Sequence, residues 1–335
     1  MSRELIFIRI IFSIFLSCFL SIIFTKTIIN KGSNRQVERN YIDAHKTKNG
    51  TISGGGKGFF LSTLIGFVFS SLFIQYDYKI LSLLFVSTSF FLVGFVDDYY
   101  KKKSNSYKGL SGRLRIIIEI AILIYFVIIL ENSNLDLTTI NIPIVNINVD
   151  IKYFYLLFLG VVLIGSGNAI NLTDGLDGLA SGLIMVAMAP FILLSLYKQE
   201  YLIAIYLSSL VGSLMGFLYY NFPPAKIFMG DSGSLYLGSV LGGAAIILRS
   251  EAILLVVGFI FVMEALSVII QVVSFKTRRK RVFLMTPLHH HFEKKGIDEV
   301  RVVMGFYLVG IFLSVIGLII EKIFWRYIMY LILGL

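Results

Sequence analysis

The sequence predicts an all-α, polytopic membrane protein with about ten transmembrane helices and both termini on the extracytoplasmic side. Three observations predict it. The chain of 335 residues is 57% hydrophobic and only 15% charged, against about 25% charged in a soluble domain, and its mean hydropathy is +0.84. Apolar runs fill most of the length, each close to the ~20 residues needed to cross ~30 Å of hydrocarbon. The basic residues are also distributed very unevenly between the two sets of loops that ten spans create.

The first run, Leu5 to Phe24, is long for the apolar core of a signal peptide and no small-x-small cleavage site follows it, so it reads as a retained helix. The spans are placed near 5–25, 58–75, 79–96, 113–130, 153–171, 178–197, 201–220, 233–248, 252–274 and 303–322. Acidic residues Asp97 and Asp98 mark where the third span leaves the membrane, Pro223 and Pro224 end the seventh, and Ser232 or Asp231 can cap the eighth. The tail Trp325–Leu335 is apolar but too short to span again, and Trp325, Tyr327 and Tyr330 suit the membrane interface. With no internal repeat and no low-complexity linker, residues 1–335 read as one domain.

Of the 30 Lys and Arg residues, 22 lie in or beside four loops, at 26–57, 101–115, 226 and 276–301. The positive-inside rule makes that side cytoplasmic. The single cysteine, Cys18, lies inside the first run and fills space there. A net charge of +10 on so apolar a chain provides no soluble basic domain and so no nucleic-acid surface; anionic membrane lipid and a phosphorylated substrate account for it.

Four polar clusters lie on the basic side. In Asp97-Asp98-Tyr99-Tyr100-Lys101, adjacent carboxylates repel unless a cation or metal lies beside them. A charged helix end meeting water explains this pair equally well. In the segment 168–178, Asn168, Asn171, Asp174 and Asp177 recur every third residue between two apolar runs, and Gly175, Gly178 and Gly182 permit a tight reversal. A polar wall at the end of the fifth span or the start of the sixth follows. The third cluster runs from Asn221 through Lys226 to Gly230-Asp231-Ser232-Gly233-Ser234. Capping alone would explain Asp231; its place beside four other aspartates favours a metal ligand. A hard divalent ion such as Mg2+ takes oxygen ligands and bridges to phosphate. The fourth, Thr286-Pro287-Leu288-His289-His290-His291-Phe292-Glu293, has three consecutive histidines but no cysteine, and neighbouring side chains rarely converge on one ion. Imidazoles that donate hydrogen bonds to a phosphate or sugar suit it better. Glu119, Glu264 and Gln271 fall inside spans, where function and structural hydrogen bonding are both open readings.

Through these residues the sequence resembles the polyprenyl-phosphate N-acetylhexosamine-1-phosphate transferase superfamily. The aspartate pair with Lys101, the DGLDG segment and the MGDSGS segment are similar to its shared motifs. TPLHHHFEKKG and EALSVIIQVVSFK resemble the branch that makes the first lipid intermediate of peptidoglycan, the phospho-N-acetylmuramoyl-pentapeptide-transferases. The likeness covers nearly the whole chain. It departs at Gly50-Thr51-Ile52-Ser53-Gly54-Gly55-Gly56, where the family has a GTPTMGG-like segment.

The resemblance implies attack of undecaprenyl phosphate on the β-phosphate of UDP-N-acetylmuramoyl-pentapeptide, giving lipid I and UMP at the cytoplasmic face of a bacterial inner membrane. It implies Mg2+ as cofactor with Asp231 its chief ligand, and Asp98, supported by Asp97, binding or deprotonating the lipid phosphate. Lys48 and Lys101 would bind phosphate, and Asn168, Asn171, Asp174, Asp177 and Asn221 would line the nucleotide side. His289, His290 and His291 would line the sugar-phosphate side. A groove along the ninth span, interrupted by Glu264 and Gln271, would take the polyprenyl tail. Relatives are commonly dimers, so a homodimer is implied as well. Three other readings compete. One is a sister transferase using UDP-N-acetylglucosamine, against which the HHHFE segment argues. Another is an anion transporter, whose site would lie near the midplane rather than at helix ends. The third is a structural or scaffolding membrane protein, which has no need for five acids on one face.

Overall fold

A computed structural model describes residues 3–32, 51–104, 109–143 and 147–321. Twelve helices occur among them: α1 (Arg3–Lys31), α2 (Gly56–Ser70), α3 (Tyr78–Lys103), α4 (Gly112–Glu131), α5 (Phe154–Thr173), α6 (Leu179–Tyr197), α7 (Tyr201–Asn221), α8 (Gly230–Ile247), α9 (Glu251–Val257), α10 (Phe259–Arg278), α11 (Leu288–Lys294) and α12 (Glu299–Ile320). The chain is an all-α polytopic membrane protein. Seven helices, α1, α3, α5, α6, α7, α10 and α12, are long and apolar enough to cross a membrane. The other three predicted spans are α2, with 15 residues, α4, which carries Arg113, Arg115, Glu119 and Glu131, and α8.

Helix α8 is the axis of the bundle: every residue from Ser232 to Ile247 is buried. Its GSVLGGAA run lacks bulk, which lets neighbouring backbones come close. Helices α3 and α5 pack along it most extensively, and α2, α6 and α9 complete its surround. Helix α1 lies against α7 and α2 through a face of Ser13, Ser17, Ser21 and Thr25, all buried. Outward-facing Phe, Ile and Leu side chains of α1, α4, α5 and α12 are exposed, as lipid-facing surface requires.

The ninth predicted span is a correction. Instead of one helix over 252–274, the chain breaks at Gly258 into α9 and α10. Glycine is a poor helix former, and α10 departs to pack across α5 while α9 stays on α12 and α8.

Short strands pin loops at both ends. Strand β1 (Ile52–Ser53) pairs in parallel with β4 (Ile227–Phe228), and the N–H groups of Gly54, Gly55 and Gly56 continue that contact onto the carbonyls of Phe228 and Met229. At the opposite end β2 (Thr139–Ile142) and β3 (Ile147–Asp150) form an antiparallel hairpin. Arg249 holds it through Thr139, while the Tyr155 hydroxyl donates to buried Glu251 at 2.5 Å. The tail 325–335 lies outside the described residues.

Candidate active site

The start of α8 organises the site. Gly230 has φ of +75°, a left-handed conformation that favours glycine, and turns the chain from β4 into α8. Neither Ser232 nor Asp231 caps the helix, contrary to the sequence expectation, and Met229 at the N-cap position makes no side-chain cap. The cap comes from another helix. Asp98 of α3 accepts the Asp231 N–H on Oδ1 (3.0 Å) and, on Oδ2, the Ser232 N–H (3.0 Å) and hydroxyl (2.7 Å). A carboxylate there answers both the free N–H groups and the positive end of the helix dipole. No local pattern in 229–234 could show this, because the acceptor lies 133 residues earlier in sequence.

With its backbone so held, Asp231 presents its carboxylate to two cations. Lys101 Nζ lies 2.8 Å from Asp231 Oδ2 and 2.7 Å from Asp97 Oδ2, and Arg115 Nη1 of α4 lies 3.8 Å from Asp231. Asp97 is buried, and its Oδ1 accepts the Leu110 N–H at 2.7 Å. Two carboxylate oxygens from different helices thus converge on one positive charge. That donor set suits a hard divalent ion, which uses one or two carboxylates and completes its shell with water and phosphate oxygens. Among the described residues no group of three or more acidic, His or Cys side chains forms a cage that could hold a metal by itself. The fit is therefore to an ion shared with a substrate.

Asn168 and Asn171 occupy the last turns of α5. Asn168 Oδ1 accepts from Arg115 Nη2 at 2.9 Å, and Arg115 Nε donates to the fully buried Glu119 at 2.9 Å. Asn171 Nδ2 donates to Ser234 Oγ of α8 at 2.8 Å. Asp174 caps the C-terminus of α5 and begins the loop 174–178. Its half-buried carboxyl is pushed up to about 8, first by burial and then by the negative charges of Asp231, Asp98 and Asp177. Asp177 is buried and turned away: Oδ2 accepts the Ala225 N–H and its own N–H donates to Glu299 of α12, each at 2.8 Å. Asn221 is 2% exposed and its amide is used within the fold, accepting from Ser181 and donating to the Ile227 carbonyl. The three-residue register therefore builds a wall only as far as Asp174; beyond it the chain turns and Asp177 fixes the loop.

The histidines lie on the short helix α11, where successive residues diverge by roughly 100°. His289 is buried and bonded to Glu264 of α10, His290 Nδ1 lies 2.7 Å from Glu293, and His291 Nδ1 accepts the Leu284 N–H at 3.1 Å. Gln271 of α10 folds the chain back by bonding the backbone of Val282 and Phe283. A cavity of about 430 Å3 lies between α10, α11 and α12, lined by apolar side chains including Phe259, Met263 and Phe306, with Arg301 its one charged residue. It follows the broken ninth span as expected, although neither Glu264 nor Gln271 lines it.

The structure thus brings Asp97, Asp98, Lys101, Asp231, Asn168, Asn171 and Asp174 to one end of the bundle. Lys48 lies outside the described residues. Sequence reasoning missed Arg115 as a site residue, although its spacing of four from Glu119 on one helix was a readable signal. It also missed Glu299 and Tyr307, which hold the 174–178 loop from α12; the Tyr307 hydroxyl donates to the Gly178 carbonyl at 2.5 Å.

The chain is similar to known proteins. A family model described as glycosyl transferase family 4 matches residues 80–249, the stretch that holds Asp97, Asp98, Asn168, Asp174 and Asp231. A phospho-N-acetylmuramoyl-pentapeptide-transferase of Halalkalibacterium halodurans is 37% identical over 326 residues, covering 96% of this chain and 99% of that protein. Proteins of the same name from Bacillus cytotoxicus and Bacillus thuringiensis are each 39% identical over 278 residues, covering 83% of this chain and 86% of theirs.

Proposed function

This chain belongs to the phospho-N-acetylmuramoyl-pentapeptide-transferase family, and from that premise we propose how its site works. The enzyme transfers phospho-N-acetylmuramoyl-pentapeptide from its UDP conjugate to undecaprenyl phosphate, forming lipid I and UMP. A lipid phosphate oxygen attacks the β-phosphorus of the donor. The bond between that phosphorus and the bridging oxygen breaks, and UMP leaves with the bridging oxygen. Both reactants are anions, so the site must offset their repulsion and hold them in line.

The observation that carries this reading is the meeting of Asp97 and Asp231 on the Lys101 ammonium at the N-terminus of α8. Lys101 and Arg115 offer positive charge to the phosphates, and the Asp98 cap fixes the Asp231 backbone. Asp231, supported by Asp97, would hold Mg2+, which when bound supplies Lewis-acid stabilisation of the transferring phosphoryl group. Asp174 and Asn171 face the nucleotide side, and α11 bounds the sugar-phosphate side. The cavity beside α10 offers an apolar channel for the first isoprenes of the lipid, with Arg301 available to its phosphate. The basic residues of α3, α4 and the 276–301 segment lie at the same end of the bundle as the site, which supports a site that faces the cytoplasm.

The experiment is UMP release by purified protein with undecaprenyl phosphate and Mg2+, from UDP-N-acetylmuramoyl-pentapeptide or UDP-N-acetylglucosamine, each with an EDTA control. Release confined to the first donor and abolished by EDTA is expected. Release from the second donor alone would move the enzyme to the sister branch.

A further inference from the structure

We propose that Glu264 is a positioning residue: it holds His289 against Gly175 and thereby sets the spacing between α11 and the 174–178 loop. The proposal rests on the transferase reading and extends it to a residue that touches no substrate.

Glu264 and His289 are both fully buried, on α10 and α11. Glu264 accepts the His289 backbone N–H on Oε1 (3.1 Å), and its Oε2 lies 3.1 Å from His289 Nδ1. A carboxylate so deep in the protein is costly unless paired; here both of its oxygens are spent on one residue. Two anchors on backbone and ring fix the imidazole as a rigid unit, with Nε2 directed away from the carboxylate.

What Nε2 meets is the 174–178 loop. It is buried and without a hydrogen-bond partner, and a Cβ built on Gly175 would overlap it. Gly175 is not among the glycines of positive φ, so its backbone does not demand glycine. The reason for glycine at 175 is the ring of His289. Next to it, Asp174 faces the acidic group, and from the other side Glu299 and Tyr307 hold the N–H of Asp177 and the carbonyl of Gly178. The loop is thus gripped from α12 and spaced from α11 by an imidazole that Glu264 does not let move.

This predicts a coupling between positions 264 and 175, which are 89 residues apart in sequence. In wild-type protein Gly175→Ala forces the loop away from a clamped ring; a displacement of about 1 Å at a reacting site costs roughly a hundredfold, so kcat/KM for the UDP donor should fall at least about tenfold. In Glu264→Ala the ring can give way, and adding Gly175→Ala should then cost less than about threefold. Glu264→Ala alone should raise the donor KM and leave the KM for undecaprenyl phosphate unchanged, and Glu264→Gln, which still accepts from the backbone N–H, should restore most of the loss.

The test is this double-mutant cycle in the full-length protein, measured by UMP release and by the thermal unfolding midpoint. Non-additive effects with a shifted donor KM support the proposal. Multiplicative effects overturn it, as does a Glu264→Ala protein that loses stability with both KM values intact, since that is a purely structural bond. Should Glu264→Ala fail to fold, the same cycle with Glu264→Leu, which keeps the volume and removes both acceptors, decides by the same criterion. If wild-type protein turns over neither donor, the transferase reading falls, and the cycle in unfolding midpoints still decides whether the carboxylate, imidazole and glycine are coupled.

Discussion

Asp98→Asn separates two roles that one carboxylate could play. The side chain keeps its volume, but its charge leaves the N-terminus of α8 and one oxygen becomes an NH2 group. Whichever way the amide is placed, a donor now faces either the Asp231 N–H or the Ser232 pair. One charge-assisted hydrogen bond is lost, about 1.5–3 kcal/mol, together with a dipole interaction of about 0.3–1 kcal/mol. The site is half-buried, so a total of about 2–4 kcal/mol is reasonable. At about 2 °C per kcal/mol, the unfolding midpoint should fall by about 5 °C. Because Asp231 is one of the residues the cap holds, its carboxylate shifts and kcat should fall by about a hundredfold or more. The assay is differential scanning fluorimetry on detergent-purified protein beside UMP release from the same preparation. Loss of turnover with an unfolding midpoint within about 1 °C of wild type would refute the capping argument and leave Asp98 acting on the lipid phosphate alone. Near-wild-type turnover would remove it from the mechanism altogether.

Other predictions follow from neighbouring contacts. Lys101→Met leaves Asp97 and Asp231 facing each other with Arg115 the remaining nearby cation and should lower kcat/KM by about a hundredfold while shifting the Mg2+ titration to lower concentration, because the competing ammonium is gone; an unchanged Mg2+ titration would contradict the shared cation position. Ser234→Ala removes the Asn171 contact and a longer bond to the Gly230 carbonyl, so a loss under about tenfold is expected in steady-state kinetics, with about 1 kcal/mol of stability. Tyr155→Phe, at the opposite end of the bundle, strands the Glu251 carboxylate and should cost about 1–3 kcal/mol in chemical unfolding while kcat per folded molecule stays constant. The Asp174 carboxyl, raised to about 8, binds a proton in the native state that the unfolded chain gives up near pH 4. Native protein therefore holds more protons between those values, and stability of the metal-free enzyme should decline as pH rises through them and level off above pH 8. Asp174→Asn should flatten that slope in unfolding midpoints measured from pH 5 to 9, and a slope unchanged by the substitution would rule Asp174 out as its source.

Much of this molecule is written locally in its sequence, and the exceptions have physical causes. Hydrophobic runs located the seven helices long and apolar enough to span because crossing hydrocarbon imposes length and apolarity on each segment separately. Helix ends were less legible: α3 continues through Asp97 and Asp98 to Lys103 because the acids find partners on α8, at Lys101 one turn on and at the Leu110 N–H rather than water. Gly258 gave no sign that it would break the ninth span, since an isolated glycine is tolerated in many helices. The aspartates were legible as a group through their shared side of the membrane. Which of them is free and which is structural was not. Asp177 and Asn221 have the same composition signal as Asp174 and Asn171, yet they spend their polar atoms on Ala225, Ser181 and Ile227. Such assignments depend on contacts between residues tens of positions apart, which no window on the sequence contains.

The enzyme joins a sugar phosphate to a lipid phosphate. Mass spectrometry of the lipid fraction after reaction of reconstituted enzyme with UDP-N-acetylmuramoyl-pentapeptide, undecaprenyl phosphate and Mg2+ tests it most directly. Undecaprenyl diphosphate bearing N-acetylmuramoyl-pentapeptide is expected, formed one-for-one with UMP and absent with Asp231→Asn. UMP released without the lipid product, or the product formed undiminished by Asp231→Asn, would contradict it.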